Sequence, residues 1–251
     1  MDLVTAGAAL MLSKKLLGKT FDVVSVDISK LYEKGRDKII EKTTNKVSDE
    51  NDGKSTNLRV TRDVFWNGSF TDEAICAEYF GGILASSRSE DGQDDTGVYY
   101  VDLIKSLSSS QLKLHYVIYL SLNKLFILDN AKSKINPAQA SELSSENIYF
   151  STNEIIINTS TSDILRDIHA IYAKGLIGNF KVDSHQLDGH VVPYLKVSPQ
   201  SLGVQLFAVA YNKLDLWLNF PKFDFKCFES IDVPKFYGES IDELIKRIGI
   251  I

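Results

Sequence analysis

Residues 176–212 read LIGNFKVDSHQLDGHVVPYLKVSPQSLGVQLFAVAYN and carry, in immediate succession, the signals of two strands, a tight reversal and a helix. Asp188-Gly189 predicts a two-residue hairpin turn, because Gly adopts positive φ without steric cost and Asp tolerates it better than most residues. The turn joins predicted strands at 181–187 and 190–197. Ser198 and Pro199 then predict a helix start, with the Ser side chain as cap and Pro at the first helical position.

A helix is predicted just upstream, at 163–174, so the order is helix, hairpin, helix. This order is close to that of a winged helix, a unit that binds nucleic acid or other proteins and rarely performs chemistry. The predicted fold class is mainly α (α+β): a helical bundle with a C-terminal winged-helix-like unit that contains a β-hairpin. The predicted domains are an N-terminal amphipathic helix (1–42), a polar linker (43–57), a helical domain (58–135), the winged-helix-like domain (136–220) and an aromatic C-terminal tail with a short helix (221–251).

The composition is that of a folded protein with a sizeable core, since 44% of the 251 residues are hydrophobic. The net charge of -5 argues against a general binder of polyanions, because nonspecific affinity for nucleic acid rests on Lys and Arg. Cys76 and Cys227 lie far apart, without the spacing of metal ligands and among apolar or aromatic neighbours. They predict buried thiols in a reducing compartment.

The N-terminal region holds two apolar features. Residues 3–12 form an apolar run that is too short for a membrane-spanning helix of about 20 residues, and its lysines follow the run instead of preceding it as in a secretory signal. An amphipathic helix on a membrane surface and a helix packed on the protein's own core both remain open. The membrane contacts would then come from Leu10, Lys14, Lys15 and Lys19.

A stripe of apolar residues follows at alternating spacings of four and three, and it predicts a helix about four turns long whose heptad pattern ends at Gly35. The stripe is buried either against the rest of the chain or, in an oligomer, in a coiled coil with a second copy; the first is favoured because the heptad pattern is short. Polar residues 43–57 predict an exposed, mobile linker. The stripe comprises Leu17, Phe21, Val24, Ile28 and Leu31.

Three helices are predicted in the middle of the chain. Thr71 is the expected cap of the first, the second spans 100–107, and Ser108 or Ser109 caps the third, whose residues 112–125 are apolar on every side as at the centre of a bundle. Short strands are candidates at 148–150 and 155–157. The aromatic tail after Asn212 is expected to pack back on the body and to end in a helix at 240–248.

Signals of catalysis, cofactor binding and metal binding are weak. Gly18-Lys19-Thr20 lacks the first glycine of a phosphate-binding loop, since Ser13 stands at that position. His185 and His190 flank the hairpin turn on one face, where a two-His metal site is geometrically allowed with help from Asp183 or Asp188, but no third ligand is evident. His115 and His169 lie in predicted helices without a second ligand at the zinc spacing. We therefore predict no catalytic, cofactor-binding or metal-binding residues, no cofactor, and a noncatalytic protein.

Nucleic-acid contact has four candidate residues: Arg166 and Lys174 on one predicted helix, and Lys181 and Lys196 on the hairpin. So few cations would hold phosphates weakly, so a protein-binding or purely structural winged helix is favoured over a DNA reader.

Two segments taken together resemble the bacterial abortive-infection alpha (Abi-alpha) family. The first is FTDEAICAEYFGGILASS at 70–87 with VDLIKSLSSSQL at 101–112, and the second is Gly175-Leu-Ile followed by the hairpin and VSPQSLGVQLF at 197–207. The resemblance covers about half of the chain, and its motifs are mostly packing and capping signals. It implies a cytoplasmic, mainly helical protein of phage resistance without established catalytic residues. The long polar linker and the aromatic tail depart from the family's pattern.

The sequence thus predicts a noncatalytic antiviral defence protein that acts through protein–protein interaction with an unidentified partner, and a phage protein is one candidate for that partner. Two alternatives stay open. One is a winged-helix regulator that binds nucleic acid, and the other is an effector that meets a membrane through its N-terminal helix.

Overall fold

The computed structural model describes residues 28–70, 73–155, 161–187, 190–229 and 231–249. Within them the fold is mainly helical with small antiparallel sheets, an α+β architecture as predicted. The helices are α1 (Ile28–Thr44), α2 (Leu58–Gly68), α3 (Ala74–Ser86), α4 (Gly97–Ile104), α5 (Ser109–Leu128), α6 (Ala140–Ser145), α7 (Thr152–Ile155), α8 (Thr161–Ala173), α9 (Ser201–Ala210) and α10 (Ile241–Ile248), with 3-10 turns at Lys132–Lys134 and Leu214–Asn219. The strands are β1 (Ser55–Thr56), β2 (Arg88–Ser89), β3 (Ile148–Ser151), β4 (Ile177–Leu187), β5 (His190–Pro199) and β6 (Tyr237–Gly238).

Helix α5 is the central helix of the fold. It begins with a capping box, in which Gln111 N donates to Ser108 Oγ at 3.3 Å and Ser108 N donates to Gln111 Oε1 at 3.0 Å. Its residues from Leu112 to Phe126 are buried on nearly every side. The prediction of a capped helix at the centre of the bundle is therefore confirmed.

Helices α3, α5 and α9 approach one another so closely that glycine is required at their contacts. A Cβ atom on Gly82 of α3 would lie 2.4 Å from the carbonyl oxygen of Ala210 in α9. A Cβ atom on Gly203 of α9 would lie 2.1 Å from Tyr119 Oη of α5. The missing side chains let the three helices share one core.

Helix α1 continues through Gly35, where the heptad pattern of the sequence stops, and ends at Thr44. Gly35 lies inside the helix because its surface packs on α2, where a Cβ atom would sit 2.0 Å from the carbonyl oxygen of Ser69. The stripe residues Leu17, Phe21 and Val24 lie outside the described residues.

The polar stretch 43–57 is largely exposed, yet several of its residues are attached to the body. Ser55 and Thr56 pair with β2, and Arg88 Nη2 lies 2.5 Å from Asp52 Oδ1. Asn57 caps α2 by accepting from Arg59 N at 2.8 Å. The stretch predicted as an exposed, mobile linker therefore also pairs with residues of the folded body.

The main sheet has the strand order β4-β5-β3-β6, with every pair antiparallel. Leu187 pairs with His190, which leaves two residues between the strands and confirms the hairpin; residues 188–189 themselves lie outside the described part. The predicted helix start at Ser198-Pro199 is wrong. Pro199 ends β5 opposite Ile177, Ser198 Oγ bonds Asn147 Oδ1 at 2.9 Å, and α9 begins at Ser201 after Gln200.

One face of this sheet meets the helices. Phe150, Leu195 and Val197 are fully buried on that face. Phe180 of β4 stands opposite Val197 on the same face, and its ring lies 4.8 Å from that of His169 in α8. Helix α8 therefore packs on the core-facing side of the main sheet.

The C-terminal segment returns to α5, as predicted for the aromatic tail. Asn123 Nδ2 donates to the carbonyl oxygens of Phe220 and Phe223 at 2.7 and 2.9 Å, and Asn123 Oδ1 accepts from Phe225 N at 3.2 Å. Phe228 N donates to Tyr116 Oη at 2.7 Å. The tail ends in helix α10, as predicted, and Ser240 is the N-cap of that helix.

Three further expectations meet mixed outcomes. Cys76 is buried but Cys227 is exposed, so the prediction of two buried thiols is wrong for the second. Strand 148–150 is confirmed, whereas Ile155 ends helix α7 instead of starting a strand, and 156–157 lie outside the described residues. Thr71 also lies outside them, and Glu73 occupies the N-cap of α3.

None of the helices in the described ranges combines the length and the apolar content that a membrane crossing needs.

Candidate functional site

A cleft of about 360 Å³ opens between α5, α8 and the segment 232–235. Its floor is apolar and its rim carries charges of both signs. The apolar lining residues are Leu114, Val117, Ile155, Ile164, Val233 and Pro234; the polar ones are Ser110, Lys113, Asp167, Asp232 and Lys235.

The local sequence explains why floor and rim differ. Ser110, Lys113, Leu114 and Val117 follow one another at helical spacing, so they form one stripe along α5. Lys113 at the open end is exposed, whereas Leu114 and Val117 are buried. On α8, Ile164 and Asp167 are three residues apart and therefore lie on one side of the helix, and both are buried.

Asp167 is the buried acid of the cleft, with 5% of its surface exposed. Its Oδ1 atom accepts a hydrogen bond from Gln111 Nε2 at 3.2 Å and lies 3.5 Å from Arg166 Nε. These contacts hold the carboxylate in place and partly satisfy it. Lys113, Asp232 and Lys235 are exposed at the mouth. The cleft can therefore take an apolar group and pair with charges of either sign around it.

His115 lies away from the cleft, fully buried in a polar chain through the core. Its Nδ1 atom is 2.5 Å from Tyr79 Oη and its Nε2 atom is 3.1 Å from the carbonyl oxygen of Gly203. Burial lowers the pKa of His115 to about 3, so the ring is neutral at physiological pH. With Nε2–H donating to Gly203, Nδ1 accepts from Tyr79, and the imidazole joins α3, α5 and α9.

The two histidines of the hairpin share a face. His185 pairs with Val192 and His190 with Leu187, which places both rings on the same side of the strands as predicted. Across the residues that the structure covers, no three His, Cys, Asp or Glu side chains come close enough to hold a metal ion. Asp188, one of the two aspartates considered as a helper, is not among those residues.

The structure brings together two of the four candidate cations for nucleic acid. Lys181 and Lys196 are direct cross-strand partners, on the sheet face that turns away from α8. Lys181 Nζ lies 2.5 Å from Asp183 Oδ2, and Lys196 Nζ lies 5.7 Å from the centre of the Tyr149 ring. These contacts leave a small basic patch beside an aromatic ring.

Arg166 and Lys174 do not join that patch. Both belong to α8 or its end, and α8 lies on the opposite face of β4. Arg166 Nη1 is 2.9 Å from Asp163 Oδ1, so the Arg166 cation is paired with an acid of its own helix. The four cations thus form no common surface. Leu10, Lys14, Lys15 and Lys19, the candidate membrane contacts, lie outside the described residues.

A buried ion cluster was missed from the sequence. Glu78 of α3 is 4% exposed, its Oε1 atom lies 3.1 Å from Lys42 Nζ, and its Oε2 atom contacts Lys46 Nζ. Burial lowers the pKa of Lys46 despite the opposing charge of Glu78. The cluster fastens the end of α1 to α3. A lone Glu in an apolar helix is the only signal for it, and that signal names no partner.

Comparison of the chain with family models, with curated proteins and with solved structures finds no match. The resemblance to the Abi-alpha family therefore rests on the two segments quoted above.

Proposed function

We propose that this chain is a noncatalytic bacterial anti-phage protein of the abortive-infection type, and that it acts by binding a partner protein in the cleft between α5, α8 and residues 232–235. The observation that carries the proposal is the apolar floor with charges of both signs around it.

The size of the cleft favours an anchoring side chain over a large cofactor. Ligand pockets range from about 300 to 1,000 Å³, and this cleft is at the small end of that range. An apolar side chain on the floor would be buried, while basic and acidic neighbours in the partner would pair with Asp232 and Lys113. Such an apolar anchor with a polar rim is the usual anatomy of a protein interface.

The contacts of Asp167 favour binding over chemistry. A general base or nucleophile needs its reactive atom aimed at a substrate. Asp167 instead shares its Oδ1 atom with Gln111 and Arg166. The other charges of the cleft are exposed at its mouth. The defence setting and the cytoplasmic location come from the family resemblance alone.

A phage challenge tests both parts of the proposal. Bacteria expressing the protein should give fewer plaques than an empty vector with at least one phage of a broad panel. The double variant Lys113→Glu/Asp232→Lys keeps the net charge but inverts the rim, and it should lose the protection. The matched control Lys222→Glu/Asp215→Lys makes the same changes at exposed positions outside the cleft and should keep it.

Two results would contradict the proposal separately. Unchanged plaque counts across the panel would remove the defence role. Full protection by the rim variant, with thermal unfolding equal to that of the wild type, would remove the cleft from the mechanism.

A second candidate function is nucleic-acid binding by a winged-helix-like unit at 136–220. It is supported by the order α8, hairpin, α9, and by Lys181 and Lys196 standing opposite each other, where like charges otherwise cost stability. Binding to duplex DNA would weaken as salt rises and would fall in Lys181→Glu/Lys196→Glu, but not in the control Arg166→Glu/Lys174→Glu. No binding at low salt would end this idea.

A further inference from the structure

Three aromatic side chains form an exposed patch beside the start of the described chain. The ring centre of Phe70 lies 5.9 Å from that of Tyr32 and 6.2 Å from that of Trp66. Trp66 is 68% exposed and Phe70 is 54% exposed. Large aromatic groups that touch each other while facing water mark a surface that something else covers.

The patch lies where the chain enters α1. Tyr32 is only one helical turn after Ile28, the first residue of α1. Further along α1, Gly35 and Ile39 are buried against the body. In the sequence, the stripe formed by Leu17, Phe21 and Val24 precedes this buried face at the same alternating spacing of three and four.

We propose that the aromatic patch is the docking surface of the chain's own N-terminal segment, and that Leu17, Phe21 and Val24 bury Trp66 and Phe70. Covalent continuity argues for this occupant, because the segment of 27 residues ends next to the patch and its local concentration there is high.

The surroundings of the patch argue against the other occupants. Arg62 Nη2 lies 2.7 Å from Asp63 Oδ1, and Arg36 Nη2 lies 2.9 Å from Asp37 Oδ1, so each of these two arginines beside the patch is paired with an acid. An anionic membrane surface is bound by an excess of cations instead. A coiled coil between two copies needs about three or four heptads, which the stripe does not reach before the buried face begins.

Trp66 reports directly on the patch. The chain has two tryptophans, so Trp217→Phe leaves Trp66 as the only one. In that full-length background, Phe21→Asp/Val24→Asp should raise the acrylamide quenching constant about two-fold and shift the emission to the red, because Trp66 loses its cover. The matched control Val23→Asp/Val26→Asp places the same charges on the opposite side of the stripe and should change neither value.

A reciprocal experiment reads the segment itself. Trp66→Ser should speed tryptic cleavage after Lys14, Lys15 and Lys19, because the N-terminal segment loses part of its docking surface. Leu128→Ser, a control at a residue that is 78% exposed elsewhere, should leave that rate unchanged. Far-UV circular dichroism of all variants checks that the body stays folded.

Several results would overturn the proposal. One is equal quenching of Trp66 with and without the stripe substitutions, together with unchanged cleavage in Trp66→Ser. Protection of Trp66 that appears only with anionic phosphatidylserine vesicles would assign the patch to a membrane. Protection that grows with protein concentration alongside a dimer in sedimentation would assign it to a second copy.

Discussion

At the scale of single residues, Gly203 makes one of the closest contacts between helices. Its missing side chain lets Tyr119 Oη bond the carbonyl oxygen of Leu176 at 2.5 Å. An added Cβ atom would lie 2.1 Å from Tyr119 Oη and 2.2 Å from the carbonyl oxygen of Leu176. Because one of these neighbours is backbone, the clash cannot be relieved by turning a side chain.

Gly203→Ala should therefore lower the free energy of unfolding by about 3 kcal/mol or more, measured by urea denaturation. Gly178→Ala is the control, since its nearest new contact is the end of the Gln200 side chain at 3.0 Å, which has room to move. A Gly203→Ala protein as stable as Gly178→Ala would show that α5 and α9 are not packed so closely.

His115 makes the free energy of unfolding depend on pH. Burial lowers its pKa from 6.5 to about 3, so the ring takes up its proton when the protein unfolds. Its contribution to stability is complete above pH 6.5 and is lost progressively as the pH falls toward 3. As the pH falls from 8 to 5, protonation of this group alone should lower the free energy of unfolding by about 2 kcal/mol.

The variant His115→Gln isolates that contribution, because Gln retains a donor for Gly203 and an acceptor for Tyr79 but does not titrate. Its loss of stability between pH 8 and pH 5 should be smaller than that of the wild type by about the same 2 kcal/mol. Parallel pH profiles in the two proteins would contradict a buried neutral imidazole.

At the scale of elements, Asn123 joins the C-terminal segment to α5. Its side chain satisfies three backbone groups of residues 220–225 that no regular ladder satisfies. Asn123→Ala leaves these buried groups unpaired and should cost about 3 kcal/mol or more. Hydrogen exchange should rise at 220–228, whereas the exposed Asn130→Ala should behave as the wild type. Unchanged exchange in that segment would show that the aromatic side chains suffice to hold it.

The elements that the sequence predicted well are those whose signals are local. The capping box of α5 joins Ser108 and Gln111, three residues apart, and the hairpin register follows from two turn residues. The errors arise where a distant segment decides. Ser198-Pro199 has the local pattern of a helix start, but Asn147 bonds Ser198 and Ile177 pairs with Pro199, so both residues belong to the sheet.

The cleft could not have been predicted for the same reason. Its walls come from four parts of the chain, near residues 110, 155, 165 and 233, and none of them carries a local signal of the others. Of the four predicted cations, only the pair fixed by the hairpin register, Lys181 and Lys196, came together. The faces of α8 depended on packing that no local pattern encodes.

At the scale of the whole molecule, one hydrophobic core runs across the domain boundary predicted between 135 and 136. Buried residues from Ile39 to Phe228 belong to a single cluster. Tyr119 of α5 bonds the carbonyl oxygens of Leu176 and Gln200 beyond that boundary. The helical body and the sheet therefore contribute buried residues to one shared core.

The two tryptophans test whether this shared core unfolds as one unit. Trp66 lies in the helical body and Trp217 in the chain after α9, so Trp217→Phe and Trp66→Phe give one reporter for each side. We expect both variants to show a single urea transition, each coincident with its own far-UV circular dichroism. Tyr119→Phe, introduced into either background, should move both midpoints down together, because it removes bonds that join the two sides. A midpoint that moves in only one background would show that the helical body and the sheet unfold independently.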